Sequence, residues 1–458
     1  MKTNIFIKKT EFNCSKEELF EWHEREFALE RLSPPFDPVK VISRKGSGIE
    51  IGAKVTIKMH AGLIPFIWKA EHTEYKKPDE FADIQVSGPF SFWKHTHTIT
   101  DSGNKAFLED KIEYSLPFGF ILNKLFRKKI ESNLSSIFKF RHKTLANDLI
   151  LHSKYGKERK IILIAGASGQ LGSALIPFFS TGGHKVIRLV RREHINQNEI
   201  FWDPSKGFLD LSKAGKIDAI INLSGENIGE GRWTKSKKAK IIESRTKTTK
   251  LLVDEILKLD DPPEVFISSS AIGFYGNTKE NIVNEKSEQG SDFISEVCKL
   301  WEDAARSVEK AGVRLLNARI GVVCSPLGGA LEKLITPTKM GFGGKLGSGK
   351  QHMSWIGMDD ILGIFYYFIH DKKISGPVNI CTPDSITNYD MIKAIGKALK
   401  RPTFFTVPSF IIKILFGKMG DEIVLSDMRV KPEVLINSSY EYICDDFDEY
   451  LKFVLGKN

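Results

Sequence analysis

Three glycines spaced three residues apart, Gly166, Gly169 and Gly172, lie between an apolar β-branched run and an apolar helical stretch in KIILIAGASGQLGSALIPFF. Glycine at the first position permits a tight turn, at the second lets a pyrophosphate approach the backbone, and at the third lets a helix pack closely on a strand. The start of the following helix offers free N–H groups and a positive dipole end to an anion. The segment therefore predicts a dinucleotide-binding turn. The intervening residues predicted to contact the dinucleotide are Ser168, Gln170 and Leu171.

Two arginines, Arg191 and Arg192, directly follow the next apolar run, HKVIRLV. Sites for NAD usually carry Asp or Glu at the end of this second strand, where the carboxylate binds the ribose 2′-hydroxyl. Arginine instead offers forked, charged donors to a 2′-phosphate. The doublet therefore predicts NADP as the cofactor, with NAD less favoured, and a plain pair of surface arginines is the alternative.

The elements that would position these groups follow along the chain. Apolar strands recur in IDAIINLSG, VFISSSAIGFYG and VRLLNARIGVV, at the spacing of alternating strands and helices. Such alternation predicts a Rossmann-type α/β fold with a doubly wound parallel sheet, which binds ligands at the carboxyl ends of its strands. The strand-end residues predicted to contact the cofactor are Asn222, Leu223, Ser224, Gly225, Ser268, Ser269 and Arg319.

A polar stretch, LHSKYGKERK at 151–160, marks a domain boundary. We place a first domain at 1–153, a linker at 154–159, the dinucleotide-binding domain at 160–400 and a C-terminal extension at 401–458. The first domain shows strand-like alternation in segments such as AKVTIKMH and KHTHTIT, then a long amphipathic stretch that includes Leu134, Phe138 and Leu145. A sheet curled around one long helix is an α+β arrangement with an apolar cavity.

Two histidines of the first domain, His95 and His97, lie two apart on a predicted strand and so face the same way. A metal pair would need a further ligand such as His72. Histidines that line a cavity or face solvent are the commoner arrangement, and we predict no metal site.

Composition excludes collagen, low-complexity disordered chains and small disulfide-rich scaffolds. The 458 residues are 41% hydrophobic and 27% charged, which is typical of a globular chain of two to four domains. Acidic residues are mixed with the basic ones that give the net charge of +10, so we predict a small-molecule substrate and no nucleic-acid partner. The oligomeric state is not indicated.

The scattered cysteines and the absence of an apolar leader in MKTNIFIKKT favour the reducing cytoplasm. The most apolar stretches, Ile361–Ile369 and Phe410–Phe416, are too short to span a membrane, and we predict that both form buried helices.

The second part of the chain resembles the atypical, extended short-chain dehydrogenase/reductases described as an epimerase-like family. The resemblance covers about residues 160–455 and is carried by GASGQLG, NLSGENI, SSSAIGFYG, RIGVV, GKLGSGKQHMSWI and RPTFFTVPSF. It implies an NAD(P)-binding protein that acts as an oxidoreductase or a nucleotide-sugar epimerase. Residues 1–153 resemble the START-like (SRPBCC) helix-grip family through GPFSFWKHTHT, EDKIEYSLPFG and FKFRH. This second resemblance implies an apolar ligand.

The superfamily's catalytic residues are only partly present. Its members use a Ser that polarises the substrate oxygen, and a Tyr and a Lys in a later helix. Ser270 matches the Ser, but Ile294 and Cys298 stand where the Tyr and Lys would fall. Another acid near the strand ends could serve, and the candidates are Glu226, Tyr275 and Glu285. A protein that binds NADP without catalysis, while its START-like domain holds an apolar ligand, is the alternative.

Overall fold

The backbone divides into two compact units. The computed structural model describes residues 3–62, 64–117, 120–156 and 158–457. The first unit comprises Met1–Lys157, Pro177–Gly183 and Lys452–Asn458, and the second comprises Glu158–Ile176 and His184–Leu451. The main division after residue 157 falls inside the linker that we predict at 154–159.

The first unit is built on an antiparallel sheet of seven strands in its described residues. The order is β1-β7-β6-β5-β4-β3-β2, so consecutive strands from β2 to β7 are neighbours and β1 closes against β7. The elements are β1 (Asn4–Phe12), α1 (Lys16–Glu24), α2 (Ala28–Arg31), β2 (Lys40–Lys45), β3 (Lys54–Ala61), β4 (Ile64–Lys76), β5 (Glu80–Ser87), β6 (Phe92–Ser102), β7 (Lys105–Ser115) and α3 (Phe120–Tyr155).

The long helix α3 buries the predicted apolar face. Leu134 and Phe138 pack with Ile112 and Tyr114 of β7, while Leu145 joins a cluster shared with α1 and the sheet. The alternating segments predicted as strands are strands, and the antiparallel sheet domain is confirmed.

The second unit contains a parallel sheet whose seven strands run in the order β10-β9-β8-β11-β12-β14-β19. The order reverses direction between β8 and β11, as in doubly wound nucleotide-binding sheets. The strands of this sheet are β8 (Ile161–Ala165), β9 (Lys185–Val190), β10 (Glu199–Phe201), β11 (Ala219–Asn222), β12 (Val265–Ala271), β14 (Arg314–Ile320) and β19 (Gly376–Ile380). The predicted Rossmann-type fold is confirmed.

Helices connect these strands, and short strand pairs lie after β12. The helices are α4 (Gln170–Thr181), α5 (Lys235–Ile256), α6 (Phe293–Ala305), α7 (Gly329–Lys339), α8 (Met358–His370), α9 (Asn388–Leu399), α10 (Ser409–Phe416), α11 (Glu433–Asn437) and α12 (Phe447–Val454). The short strands are β13 (Ile282–Val283), β15 (Val322–Cys324), β16 (Gly344–Leu346), β17 (His352–Met353), β18 (Trp355–Gly357), β20 (Ile386–Thr387), β21 (Phe405–Val407) and β22 (Arg429–Val430).

The core of the second unit lies around its central strands. Every residue of β11 is buried, and the first three, Ala219, Ile220 and Ile221, are apolar, as expected of a parallel strand covered on both faces. Helix α8 is buried as predicted. Helix α10 is not: Ile412 is buried, but Phe410 and Ile414 are exposed, so the prediction of a buried helix at 410–416 is wrong. An apolar run alone does not reveal whether a neighbouring element covers it. In the part of the chain that is described, no helix combines the length and apolar character needed to cross a bilayer.

Candidate nucleotide-binding and active site

The Gly166–Gly172 turn has the close contacts that make its glycines necessary. Gly166 has a φ of +81°, and a Cβ there would lie 2.8 Å from the carbonyl carbon of Leu223 at the end of β11. A Cβ on Gly172 would lie 2.4 Å from the Gly166 carbonyl oxygen. At Gly169 the nearest atom, the same oxygen, would be 3.3 Å away, so this position is more open. The turn therefore lies directly against β11, and α4 begins at its edge with Gln170.

The turn sits where the strand order of the sheet reverses. Strand β8 pairs with β9 on one side and β11 on the other, and the Leu223 amide donates to the Ala165 carbonyl at 2.9 Å. A crevice opens at such a point between loops that leave in opposite directions. The start of α4 points its unpaired N–H groups toward this edge.

A buried amide holds the end of β11 in place. Asn222 donates from Nδ2 to Thr249 Oγ1 of α5 at 2.8 Å and accepts from the Ser224 amide at 3.1 Å. Trp301 of α6 donates from its indole N–H to the same threonine hydroxyl at 3.0 Å. Asn222, predicted as a cofactor contact, thus positions the loop that begins at Leu223.

The two arginines after β9 have different surroundings. Arg192 pairs with the buried carboxylate of Glu199, which also pairs with Arg188 at 3.0 Å. Arg191 is exposed and makes no ion pair within the described residues. The structure therefore separates a doublet that the sequence treats as one group.

A buried hydrogen-bond network joins β12, α6 and β14. The Ser270 hydroxyl donates to Glu302 Oε1 at 2.7 Å, and Arg319 binds both oxygens of Glu302 from Nε and Nη2 at 2.8 Å each. Ser270 and Arg319 are direct partners in the register of β12 and β14. The guanidinium also stacks 3.5 Å from the centre of the Phe274 ring. Arg319, which we predict to contact the cofactor, is held by Glu302 in this network.

Tyr275 extends this network toward β19. Its hydroxyl accepts from Arg319 Nη1 at 2.9 Å and donates to Asn379 Oδ1 at 2.8 Å. Burial raises the pKa of Tyr275 to about 12, and the hydrogen bond from Arg319 only partly opposes that shift. The phenol therefore stays protonated near neutral pH and has its own acceptor within the chain.

The positions expected for the Tyr and Lys of the superfamily belong to the apolar core. Ile294 and Cys298 of α6 are buried with Trp233 and Ile241 in one cluster. A Cβ on Gly273 would lie 2.3 Å from Ile294 Cγ2, which shows how closely α6 packs on the segment after β12. Burial raises the pKa of Cys298 to about 12, so this thiol is not a ready nucleophile.

Glu226, the third candidate, lies just beyond the β11 loop. Lys237 Nζ donates to its carboxylate at 2.7 Å, and this hydrogen bond lowers the pKa of Glu226. The Glu226 amide donates to Ser244 Oγ at 2.9 Å, which anchors the loop to α5. The side chain is a half-buried carboxylate that can accept a proton but does not carry one at neutral pH.

Three residues of this region were missed by sequence reasoning. Glu302 and Asn379 complete the network of Ser270 and Tyr275, and they are distant in sequence from their partners. Arg245 of α5 is buried beneath Gly225, where a Cβ would lie 3.0 Å from its guanidinium carbon, and it stacks on Trp301. Burial lowers the pKa of Arg245 to about 10. The available signal was a polar residue within an otherwise apolar helix face, for Glu302 and Arg245, or within an apolar strand, for Asn379.

The parallel sheet with its strand-order reversal, and the glycine turn at that reversal, define a nucleotide-binding protein of Rossmann type. Comparisons with known proteins agree with this class. Residues 162–381 match the model of the NAD dependent epimerase/dehydratase family, and residues 407–454 match a domain of unknown function, DUF1731. The chain is 36% identical over 293 residues to the epimerase family protein Mb2239 of Mycobacterium bovis, a match that covers 64% of this chain and 97% of that relative.

Two solved structures extend the comparison. The nucleoside-diphosphate sugar epimerase from Corynebacterium glutamicum superposes with a TM-score of 0.81 at 29% identity and covers 98% of this chain and 90% of its own. The human epimerase family protein SDR39U1 (isoform 2), solved with NADPH, has a TM-score of 0.61 at 30% identity and covers 64% of this chain and 99% of its own. The chain belongs to the NAD-dependent epimerase/dehydratase family.

Proposed function

We propose that the second unit binds NADP(H) along the carboxyl edge of its parallel sheet. The observation that carries this proposal is the Gly166–Gly172 turn, which lies against β11 and is most open at Gly169, beside the start of α4. The human relative SDR39U1, whose structure contains NADPH, supports the same cofactor. The other residues of the turn that we predict to contact the dinucleotide, Ser168, Gln170 and Leu171, are exposed or half-buried.

The 2′-phosphate is proposed to bind Arg191. Its exposed guanidinium follows β9, where the adenosine ribose of a dinucleotide lies in Rossmann proteins. Arg192 contributes less, because Glu199 already pairs with it. The preference for NADP over NAD therefore rests on one arginine rather than two.

Two buried hydroxyls support a ligand at the strand ends. Ser224 Oγ and Ser269 Oγ are buried and have no hydrogen-bond partner in the described part of the chain. Buried hydroxyls normally find a partner, and a bound molecule can supply it. Ser224 begins the loop after β11 and Ser269 lies near the end of β12, on the edge where we place the nicotinamide half.

We propose that the chemistry is that of an oxidoreductase or a nucleotide-sugar epimerase, with hydride exchanged at the nicotinamide of the bound cofactor. Ser270 donates to Glu302, so it can accept a hydrogen bond from a substrate hydroxyl through its remaining lone pairs. Glu226 is the carboxylate that accepts the released proton. Tyr275 is a positioning residue, which holds Arg319 and through it Glu302.

The direct test is NADPH oxidation and NADP reduction by the purified protein with a panel of carbonyls, alcohols and nucleotide-linked sugars. We expect turnover with at least one substrate, lost in Ser270→Ala and kept in Lys247→Ala, an exposed change on α5. If the panel gives neither redox change nor epimer while NADPH is shown to bind, catalysis of this type is contradicted.

A second candidate function is binding of NADP(H) without catalysis. Ser270 is buried, each candidate catalytic side chain has a partner within the chain, and Ile294 and Cys298 fill the positions of the usual dyad. A ligand that binds only the folded state raises its melting temperature. If NADPH raises the melting temperature clearly more than NADP does, and no turnover is seen, the protein is a redox-responsive binding protein. Equal increases in melting temperature argue against that function.

For the first unit we propose a START-like helix-grip domain that holds an apolar ligand. The support is its antiparallel sheet with the 36-residue helix α3, and the aromatic cluster of Trp68 on β4, Phe90 before β6 and Trp93 on β6. Native mass spectrometry of freshly purified protein weighs any ligand that is retained.

A cytoplasmic site of action is also proposed, since all five cysteines are free thiols.

A further inference from the structure

A row of metal-ligand side chains crosses three strands of the first unit. His72 of β4 lies opposite Asp83 of β5, and Asp83 lies opposite His95 of β6. Residues directly opposite each other in an antiparallel sheet have Cβ atoms about 5 Å apart on one face. His97 is two residues beyond His95 and so shares that face. The sheet therefore brings three imidazoles and one carboxylate together.

The distances suit a single ion. His95 Nδ1 lies 3.6 Å from Asp83 Oδ2. One donor atom from each of Asp83, His95 and His97 lies within 4.8 Å of the others. Ligands about 2.1 Å from a tetrahedral zinc ion are ~3.4 Å apart, so small side-chain rotations would complete the geometry.

A second carboxylate fixes which nitrogen of His95 faces this space. Asp110 Oδ1 accepts from His95 Nε2–H at 2.8 Å and also lies 2.6 Å from His97 Nδ1, and the other oxygen of Asp110 accepts from His142 Nε2–H. His142 is oriented in turn by Thr10 Oγ1, 2.7 Å from its Nδ1. A carboxylate behind an imidazole is the arrangement that orients histidine ligands in metal sites. Asp110 is 2% exposed, which suits that inner position.

His95 Nδ1 faces the Asp83 carboxylate at 3.6 Å, a separation that a cation bound to both atoms would bridge. His72 Nδ1 is buried and has no hydrogen-bond partner in the described residues, which leaves a further nitrogen next along the row.

We propose that the first unit binds one divalent transition-metal ion of the zinc class through Asp83, His95 and His97, with His72 as a further ligand and Asp110 as the positioning carboxylate. Imidazole and carboxylate donors together favour zinc and its neighbours over magnesium or calcium. Three or four protein ligands on adjacent strands form a site with no thiolate. This site is independent of the nucleotide site proposed for the second unit.

The test uses the full chain, freed of any affinity tag and stripped with a chelator. Zn²⁺ is titrated by calorimetry, and Co²⁺ is added in parallel, because a bound Co²⁺ gives visible ligand-field absorption. We expect one equivalent of either metal, with binding weakened at least tenfold in His97→Gln and in Asp83→Asn. His60→Gln, a change of an exposed histidine on β3, should bind as the wild type does.

Far-ultraviolet circular dichroism and NADPH binding check that each variant is folded. The proposal is overturned if the wild type takes up no stoichiometric metal. It is also overturned if folded His97→Gln and Asp83→Asn bind zinc like His60→Gln, since the metal would then lie elsewhere.

Discussion

Arg191 and Arg192 are adjacent in sequence but differ in what they can offer a ligand. Arg192 is half-exposed and shares the buried Glu199 with Arg188, whereas Arg191 has its guanidinium in solvent. The sequence could predict a cationic strand end, because the doublet directly follows an apolar run. It could not predict which arginine already forms an ion pair with Glu199, because Glu199 comes close to them only when β10 pairs with β9.

Arg191→Ala is expected to weaken NADPH binding by about 10- to 100-fold, since a charged hydrogen bond contributes roughly 1.5–3 kcal/mol. NADH binding should hardly change, because NADH has no 2′-phosphate. Arg192→Ala serves as the matched control and should change NADPH affinity by less than about threefold. Calorimetric titration of each variant with both cofactors measures this, and the reverse ranking of the two variants would contradict the assignment.

Tyr275→Phe is expected to destabilise the protein while sparing chemistry. The change leaves Arg319 Nη1 without its acceptor and Asn379 Oδ1 without its donor, a loss of about 1–3 kcal/mol. Urea unfolding followed by fluorescence measures the free energy.

Turnover of the Phe variant should stay within a few-fold of the wild-type value. Burial raises the pKa of Tyr275 to about 12, so wild type and variant should show the same pH profile of turnover at mildly alkaline pH. A drop of a hundredfold or more in kcat, with unchanged stability, would instead make the phenol a catalytic acid.

At the scale of elements, the turn between β8 and α4 was predictable because its physics is local. The pattern of a buried aliphatic strand, three spaced glycines and an apolar helix lies within about twenty consecutive residues, so the sequence alone indicates the turn. The link from Ser270 through Glu302 to Arg319 was not predictable in the same way. It depends on the register of β12 with β14 and on which face of α6 meets them. The exposed face of α10 shows the same limit, since burial depends on neighbours.

The second and third glycines of that turn, Gly169 and Gly172, should respond differently to alanine. In Gly172→Ala the new Cβ meets backbone atoms of Gly166 and Ala167 at 2.4 and 2.8 Å, so we expect a loss of about 1–3 kcal/mol in stability as well as loss of NADPH binding.

Gly169→Ala has only one contact, at 3.3 Å, and should keep its stability within about 1 kcal/mol while it loses NADPH affinity. Thermal unfolding and cofactor titration of both variants separate these effects. Equal stability of the two variants would show that Gly172 does not pack against Gly166 and Ala167 as described.

At the scale of the whole molecule, the division into two units was visible in the sequence as a charged stretch between two apolar patterns. The division after residue 157 lies inside that stretch. Two features were not visible in the sequence. Helix α3 continues to Tyr155, and the last residues of the chain, Lys452–Asn458, group with the first unit. Contacts made by chain ends depend on the folded backbone, which a linear pattern does not contain.

The central claim is that the second unit holds NADP(H) and selects it through the 2′-phosphate. Isothermal titration of the full chain with NADPH and with NADH, in a buffer without phosphate, tests it most directly. We predict one site per chain and NADPH affinity at least about tenfold higher than NADH affinity. Absence of binding heat with NADPH, or equal affinity for both cofactors, would contradict the claim.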